Sequence, residues 1–489
     1  MISRRNRMFR MIAFPIVAYF FYSLPLSAAK YYIDWQTGTD TNPGTSITQP
    51  WKRHPFMAGF SGSYSHSPGD GFIFKGGVSW PNSCFRMDVP LGGTSEQQRD
   101  YYGIDKSWFS GSSWSRPIFD MQSQQTTKVF NQVIYIENRV SYVTFDNIEI
   151  VNFYWAGPQS YGNALMIFFP GAQYITFSNL YVHAWTHATY AAGTRDDLKV
   201  FVGLNTSPYN VDSVIENCEI TGLPNGTDSG MATIGGIPSI HDCIIHDMSN
   251  GILSSGLSGH HLIFNNTIYN INQSFDPAAH ENGIETFGPA VIYNNVIHNV
   301  QHGVVILTTP TGQNPGDPHG YDYIYNNLIY GNLFSIPAIQ IDENQDPISS
   351  GAYVFNNTLQ SSGAALCVRL IDRGTGAFNT VSIRNNHFIT EYSTPICINS
   401  SGCANATNLI VDHNLLQSNS AACAAGYSAS QGYSPTSSTG PTVDTGTDLS
   451  SLFSFDLRYV VRPQGSSWDI GVYEYGFSLS PPTNLRIIR

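Results

Sequence analysis

The sequence predicts an all-β solenoid, and three observations carry that expectation. Asparagine-rich pairs return along the chain at a nearly fixed interval, each pair is flanked by short runs of Val, Ile, Tyr and Phe, and long helical periodicity is missing. The strict pairs are Asn265-Asn266, Asn294-Asn295, Asn326-Asn327, Asn356-Asn357 and Asn385-Asn386, in contexts such as VIYNNVIH and YIYNNLIY. Asp146-Asn147, Ser178-Asn179, Asn217-Cys218, Asp242-Cys243 and His413-Asn414 extend the series. From Asn217 onward the first members are 25, 23, 29, 32, 30, 29 and 28 residues apart. A period of this size marks repeats that bury their apolar face only against their neighbours. Strands in adjacent coils lie ~4.8 Å apart, so an Asn in each coil can pass its amide hydrogen bond to the next, and about ten coils make a rod on the order of 50 Å long. Asn also tolerates the left-handed backbone that a sharp turn between strands requires.

Taken in order, residues 1–29 read as a signal peptide: Arg4, Arg5, Arg7 and Arg10 form a basic start, Ile12 to Leu26 is apolar, and Ser27-Ala28-Ala29 supplies small residues for cleavage after Ala29. The apolar run contains Pro15 and Pro25 and is shorter than the ~20 residues of a membrane span. Residues 30–135 form a loop-rich N-terminal cap with aromatic clusters, and the coils occupy 136–418. Residues 419–476 make a loop and a closing segment, in which the Ser/Ala/Gly/Thr-rich stretch 418–450 is expected at the end of the rod. Residues 477–489 are a short tail.

Removing the four arginines of the leader takes the formal charge from −12 to −16, with 19 Lys and Arg against 35 Asp and Glu. Such a surface excludes nucleic acid as a partner, because phosphate binding needs clustered cations. A polyanionic glycan is repelled too, unless an Arg patch or bound Ca²⁺ offsets the field; no other cofactor is implied. The expected state is a monomer, exported to the medium, the cell surface or the periplasm, without an integral membrane span. The seven Cys show no zinc spacing. Cys218 and Cys243 share one slot of consecutive coils, to bridge or to fill the interior, and Cys397 with Cys403 makes a plausible local disulfide.

The units IENCEI, IHDCII, FNNTIY, YNNVIH and RNNHFI resemble the repeats of right-handed parallel β-helix proteins of the pectate-lyase-like superfamily. YYIDWQTGTDTNPGTSITQPW (Tyr31 to Trp51) with GDGFIFKGG (Gly69 to Gly77) is similar to the N-terminal segment of that group, and WDIGVYEY (Trp468 to Tyr475) to its closing segment in secreted bacterial members. The resemblance implies a single-stranded right-handed parallel β-helix over nearly the whole exported chain. It implies less about function, since lyases, hydrolases, epimerases and adhesins share this scaffold.

Three places can carry chemistry. Aligning the coils on their Asn pairs brings His246, Tyr269, His298 and Tyr330 into one column, rimmed by Asp247, Asn270 and Asn299. That column is either an ordinary side-chain ladder or a strip that binds sugar through aromatic faces and fixed hydrogen-bonding groups. The densest titratable cluster is HENGIE, where His280, Glu281 and Glu285 follow an insertion and His302 falls one coil later. If Gly283 opens a strand, Ile284 points inward and Glu285 outward, with Gln340, Asp342 and Arg369 in equivalent outward slots. This set suits acid/base work on a sugar. The third place is Asp317-Pro318-His319, similar to a motif of alginate C5-epimerases but followed here by Gly320. The expected function is therefore action on an extracellular polysaccharide by lyase or hydrolase chemistry. A non-catalytic glycan-binding adhesion module is the alternative, and C5-epimerisation a further one.

Overall fold

The computed structural model describes residues 28–124, 132–155, 165–187, 198–203, 212–222, 230–255, 260–271, 281–308, 321–332, 336–343, 351–361, 365–372 and 378–476. The chain winds through three long parallel sheets. Among the described residues sheet 1 has 13 strands, from Lys30–Ile33 to Ala406–Asp412; sheet 2 has 12, from Ser79–Pro81 to Leu415–Gln417; sheet 3 has 11, from Met87–Val89 to Ile396–Cys397. One coil illustrates the path: Ala290–Tyr293 lies in sheet 1, Val296–Val300 in sheet 2 and His302–Thr308 in sheet 3, and Tyr321–Tyr325 starts the next coil in sheet 1. Each strand pairs with its equivalent one coil away, so the expected all-β solenoid is what forms. Strands of the N-terminal cap, Lys30–Ile33, Gly71–Phe74 and Asp100–Gly103, already belong to sheet 1.

Like residues stack on like residues in the interior. In sheet 1, Ile263, Ile292, Ile324, Val354 and Ile383 are in register; in sheet 2, Ile245, Ile268, Ile297 and Ile329; in sheet 3, Ile252, Ile284, Val304 and Ile339. All are buried, and each side chain contributes roughly 1.5–3 kcal/mol relative to exposure.

The Asn pairs form the corner between sheets 1 and 2, and their two members do different work. The first member of each strict pair takes the left-handed conformation, with φ between 49° and 58°. The second is buried and builds a ladder: the Asn295 Oδ1 accepts from both the backbone N–H and the Nδ2 of Asn266, each at 3.0 Å. Asn327 receives Asn295 in the same way, Asn357 receives Asn327, Asn386 receives Asn357, and Asn414 receives Asn386. The second proton of each Nδ2 goes to a strand carbonyl, as from Asn295 to Ile263. Upstream, Cys243 and Cys218 fill the ladder slot as buried free thiols that donate to the Ile215 and Phe177 carbonyls, so the slot is filled rather than bridged. Cys397 and Cys403 form the expected disulfide.

The C-terminal segment departs from expectation. Instead of lying at the end of the rod, it returns along the outside of the Asn corner. The outer Asn side chains hold it: Asn385 donates to the Thr447 carbonyl, Asn356 to those of Asp469 and Gly471, Asn326 to that of Phe455, and Tyr459 reaches Asn265. Tyr427, Tyr433 and Val472 pack against Leu328 and Ile389 of sheet 2, while Leu449 and Trp468 pack on Phe355 of sheet 1. A buried Arg462–Glu474 ion pair at 2.7 Å ties the strap to itself. The physical reason is that the side wall offers unfilled αL-turn amides and apolar rows in register. The rod's end keeps its core-facing Leu409 and Val411 at 38% and 43% exposure. Among the described residues no helix is long and apolar enough to cross a membrane.

Candidate functional site

The corner between sheets 2 and 3 is built on Asn250-Gly251-Ile252, Asn282-Gly283-Ile284 and His302-Gly303-Val304. The expected alignment of these turns holds: Ile252 pairs with Ile284, Ile284 with Val304, and Asn282 with His302. Glycine is needed because the chain bends tightly over the core. A Cβ on Gly283 would stand 2.8 Å from the Ile297 Cγ2, and one on Gly303 2.6 Å from the Ile329 Cγ2.

The strand Asn282–Phe287 then buries Ile284 and sets Glu285 on the outer side, as expected, at 7% exposure. Asn282, 2% exposed, bridges two titratable groups. Its Nδ2 donates to the Glu285 Oε2 at 2.9 Å, and its Oδ1 lies 2.9 Å from the His302 Nδ1. Since an amide oxygen only accepts, His302 donates from Nδ1, which in the neutral ring makes Nε2 the basic nitrogen. Glu281 sits at the mouth of this strand, with its backbone pinned to Gln301 on both sides: its N–H donates to the Gln301 Oε1 and its carbonyl accepts from the Gln301 N–H. Partial burial raises the Glu281 pKa above the usual carboxylate range. The role of Asn282 was not drawn from the sequence, although the matching Asn-Gly-Ile one coil earlier marked the position.

The other expected site residues are spread along the walls. The outer row of sheet 3 runs Leu253, Glu285, Val305, Gln340, Arg369, so Arg369 stands three coils beyond Glu285. Asp342 belongs to the adjoining row with Phe287 and Leu307, and is fully buried. His280 and Asp317-Pro318-His319 lie outside the described residues.

His246, Tyr269, His298 and Tyr330 do form one column, on sheet 2. Their rings stack at 4.5, 5.1 and 4.8 Å with interplanar angles of 4°, 7° and 17°, and Tyr433 of the strap closes the far end at 5.2 Å. Each ring face therefore lies on its neighbour, and solvent meets ring edges. Asp247, Asn270 and Asn299 are a second αL ladder, with φ of 54–55°: Asn270 donates to Asp247, and Asn299 to Asn270. His246 is partly buried, which works against its charge. Hydrogen bonds to Glu219 and to Asp247, 2.6 Å from its Nδ1, outweigh this and raise its pKa; burial between two tyrosines lowers that of His298. Among the described residues no three His, Cys, Asp or Glu side chains come together in a group able to hold a metal ion.

Comparison with known proteins matches this architecture. The family profile described as right handed beta helix region matches residues 165–314. The structure of pectate lyase Pel9A is similar over 92% of this chain and 97% of its own, with 15% identity and a TM-score of 0.50. The GH136 lacto-N-biosidase from Eubacterium ramulus shares 14% identity over 80% of this chain and 68% of its own, at a TM-score of 0.43. A rhamnogalacturonan lyase shares 14% over 80% and 87%, at 0.40. No curated protein sequence matches the chain. At these identities the likeness concerns the fold alone: the chain winds as a right-handed parallel β-helix.

Proposed function

We propose that this protein is exported by its first 29 residues and acts on an extracellular polysaccharide at the outer wall of sheet 3. One observation carries the reading: Glu285 and His302 are joined through Asn282, with Glu281 at the mouth of the same strand. Hydrolysis and β-elimination of a glycan both need one group to withdraw a proton, from water or from a sugar carbon, and another to hand a proton to the departing oxygen. Glu285 is assigned to withdrawal, its Oε2 held in place by the Asn282 amide. Glu281 suits donation, because burial keeps its proton on to higher pH. His302, oriented by Asn282, can relay the withdrawn proton through Nε2. The fold gives such a site a long wall on which a polymer can lie parallel to the rod.

The test is incubation of the full-length exported chain with a polysaccharide panel, read for viscosity, new reducing ends and unsaturated products. Turnover that disappears in both Glu285→Gln and Glu281→Gln supports the reading. Turnover that survives both variants rejects the site, and retention of a glycan without turnover assigns the wall to binding alone.

A further inference from the structure

Just ahead of the first strand of sheet 1, Lys30–Ile33, Ala29 has both of its backbone groups engaged. Its carbonyl accepts from the Gly71 N–H at 2.8 Å, and its N–H donates to the Asp70 Oδ1 at 3.2 Å. Asp70 is fully buried. The Asp70 Oδ2 accepts from the Tyr64 hydroxyl at 2.8 Å and from the Ser67 N–H at 3.0 Å, so all three of these donors are neutral groups. Gly71 is in register with Tyr101, which sets Asp100 of the next coil beside Asp70. Asp100 is fully buried too, with the His66 Nε2 at 2.7 Å. Burial raises the Asp100 pKa, and the Asp70 charge adds to the rise against the pull of His66. Buried carboxylates are costly to a fold unless they are paired.

We infer that the leader is cut at the Ala28–Ala29 bond, and that the α-ammonium created there is the cation that pairs with Asp70; this rests on the export proposed above. The step is a peptide hydrolysis by the export peptidase. Water adds its hydroxyl to the Ala28 carbonyl carbon and a hydrogen to the Ala29 nitrogen as the C–N bond breaks, and the amine then takes up a proton at neutral pH. The nitrogen that donates one neutral hydrogen bond before the cut carries a full charge after it. Charge-assisted hydrogen bonds are roughly twice as strong as neutral ones. The first strand of sheet 1 therefore docks more firmly once the leader is gone, and processing and closure of the cap become one event.

The run Ser27-Ala28-Ala29 offers a second bond, Ala29–Lys30, which the spacing of its small residues favours. A cut there removes both Ala29 groups. The buried Gly71 N–H and the Asp70 Oδ1 then lose the partners that Ala29 supplies, and buried polar groups that lose their partners destabilise a fold. The fold thus places the start of the exported chain one residue earlier than the small residues do.

The first measurement is the N-terminal sequence and intact mass of the chain collected after export. A start at Ala29 is expected. A start at Lys30 or at any other residue overturns the assignment while export stands, and a chain that keeps its leader and stays in the cell overturns both. The second measurement compares chains that begin at Ala29 with a free or an acetylated amine, each with Asp70 intact and as Asp70→Asn. Hydrogen exchange at the Gly71 N–H reads the docking of the first strand. With Asp70 intact, acetylation should speed exchange by about 10-fold or more, the advantage of a charged hydrogen bond over a neutral one. In Asp70→Asn it should have little effect. Equal acceleration in both backgrounds overturns the pairing. If Asp70→Asn does not fold, the two wild-type chains decide alone, and exchange unchanged by acetylation overturns it.

Discussion

The corner between sheets 1 and 2 and the corner between sheets 2 and 3 are built by the same stacking, yet only one repeats itself. At the first, Asn follows Asn from coil to coil, so each amide from Asn295 to Asn386 finds an identical partner above and below. At the second, the equivalent turn holds Asn250, then Asn282, then His302. On its His302 side Asn282 meets no copy of itself, and its amide turns to Glu285 and His302. Repetition satisfies polar groups within the fold; where it breaks, polar groups are aimed at something else. The two corners should therefore fail differently when altered.

The largest effect is expected at the broken repeat. Glu285→Gln keeps volume and a hydrogen-bonding group but removes titration. Turnover should fall by ~10²–10⁴, equivalent to about 3–5 kcal/mol of barrier, with an unchanged thermal melt. The rate should also fall as pH rises through the Glu281 pKa, above the usual carboxylate range, because the protonated form is the donor. Glu281→Gln should remove that limb of the profile. A melt that drops along with activity would mean that Glu285 is as structural as the Asn ladder, and the contrast between the corners would be lost.

The closed repeat should answer in stability. The Asn357 Oδ1 accepts twice from Asn327, and its Nδ2 donates to the Ile324 carbonyl and to Asn386, all buried. Asn357→Ala leaves those partners unsatisfied and should lower stability by ~1–3 kcal/mol, read as a shift in urea midpoint, while the folded fraction keeps its specific activity.

These two corners also divide what could be read from the sequence. The Asn pairs were legible because they recur, and recurrence at a fixed period states both the coil and the neighbour. Ile284 inward and Glu285 outward followed from strand alternation alone. The strap was not legible, because Asn326 and Phe455 are 129 residues apart and no local pattern joins them. Nor could spacing tell a sugar strip from a ladder at His246, Tyr269, His298 and Tyr330. Both predict one column, and only interplanar angles below 20° reveal that the faces are occupied.

A smaller effect should appear where the closed corner meets the strap. Asn356 is held at φ 49° and donates to the Asp469 and Gly471 carbonyls. Asn356→Gly keeps the left-handed turn free of strain and removes the docking bonds together with the one its Oδ1 accepts from the Asn385 Nδ2, so the loss should be about 1 kcal/mol. Limited proteolysis should release the 419–476 segment sooner while the coils stay intact. Uniform digestion of coils and strap would show that strap and rod unfold as one unit.

The smallest effect tests the ladder on sheet 2, where two histidines in one stack should titrate in opposite directions. Burial opposes the charge of His246, but hydrogen bonds to Glu219 and Asp247, and their charges, prevail, so its folded pKa lies above the unfolded value of ~6.5. Its contribution to stability is then complete below ~6.5 and disappears as pH rises through the folded pKa. His298 sits between Tyr269 and Tyr330, and burial lowers its pKa. Its contribution is complete above ~6.5 and disappears as pH falls through the folded pKa. The two partly cancel, so melts alone will show little. Selective labelling of the histidine rings and an NMR titration, with His246→Asn and His298→Asn to assign the signals, separates them. One signal should move above 6.5 and the other below it. Two signals titrating together near ~6.5 would mean open ring faces. The sheet 2 column would then become a second surface on which a sugar could stack.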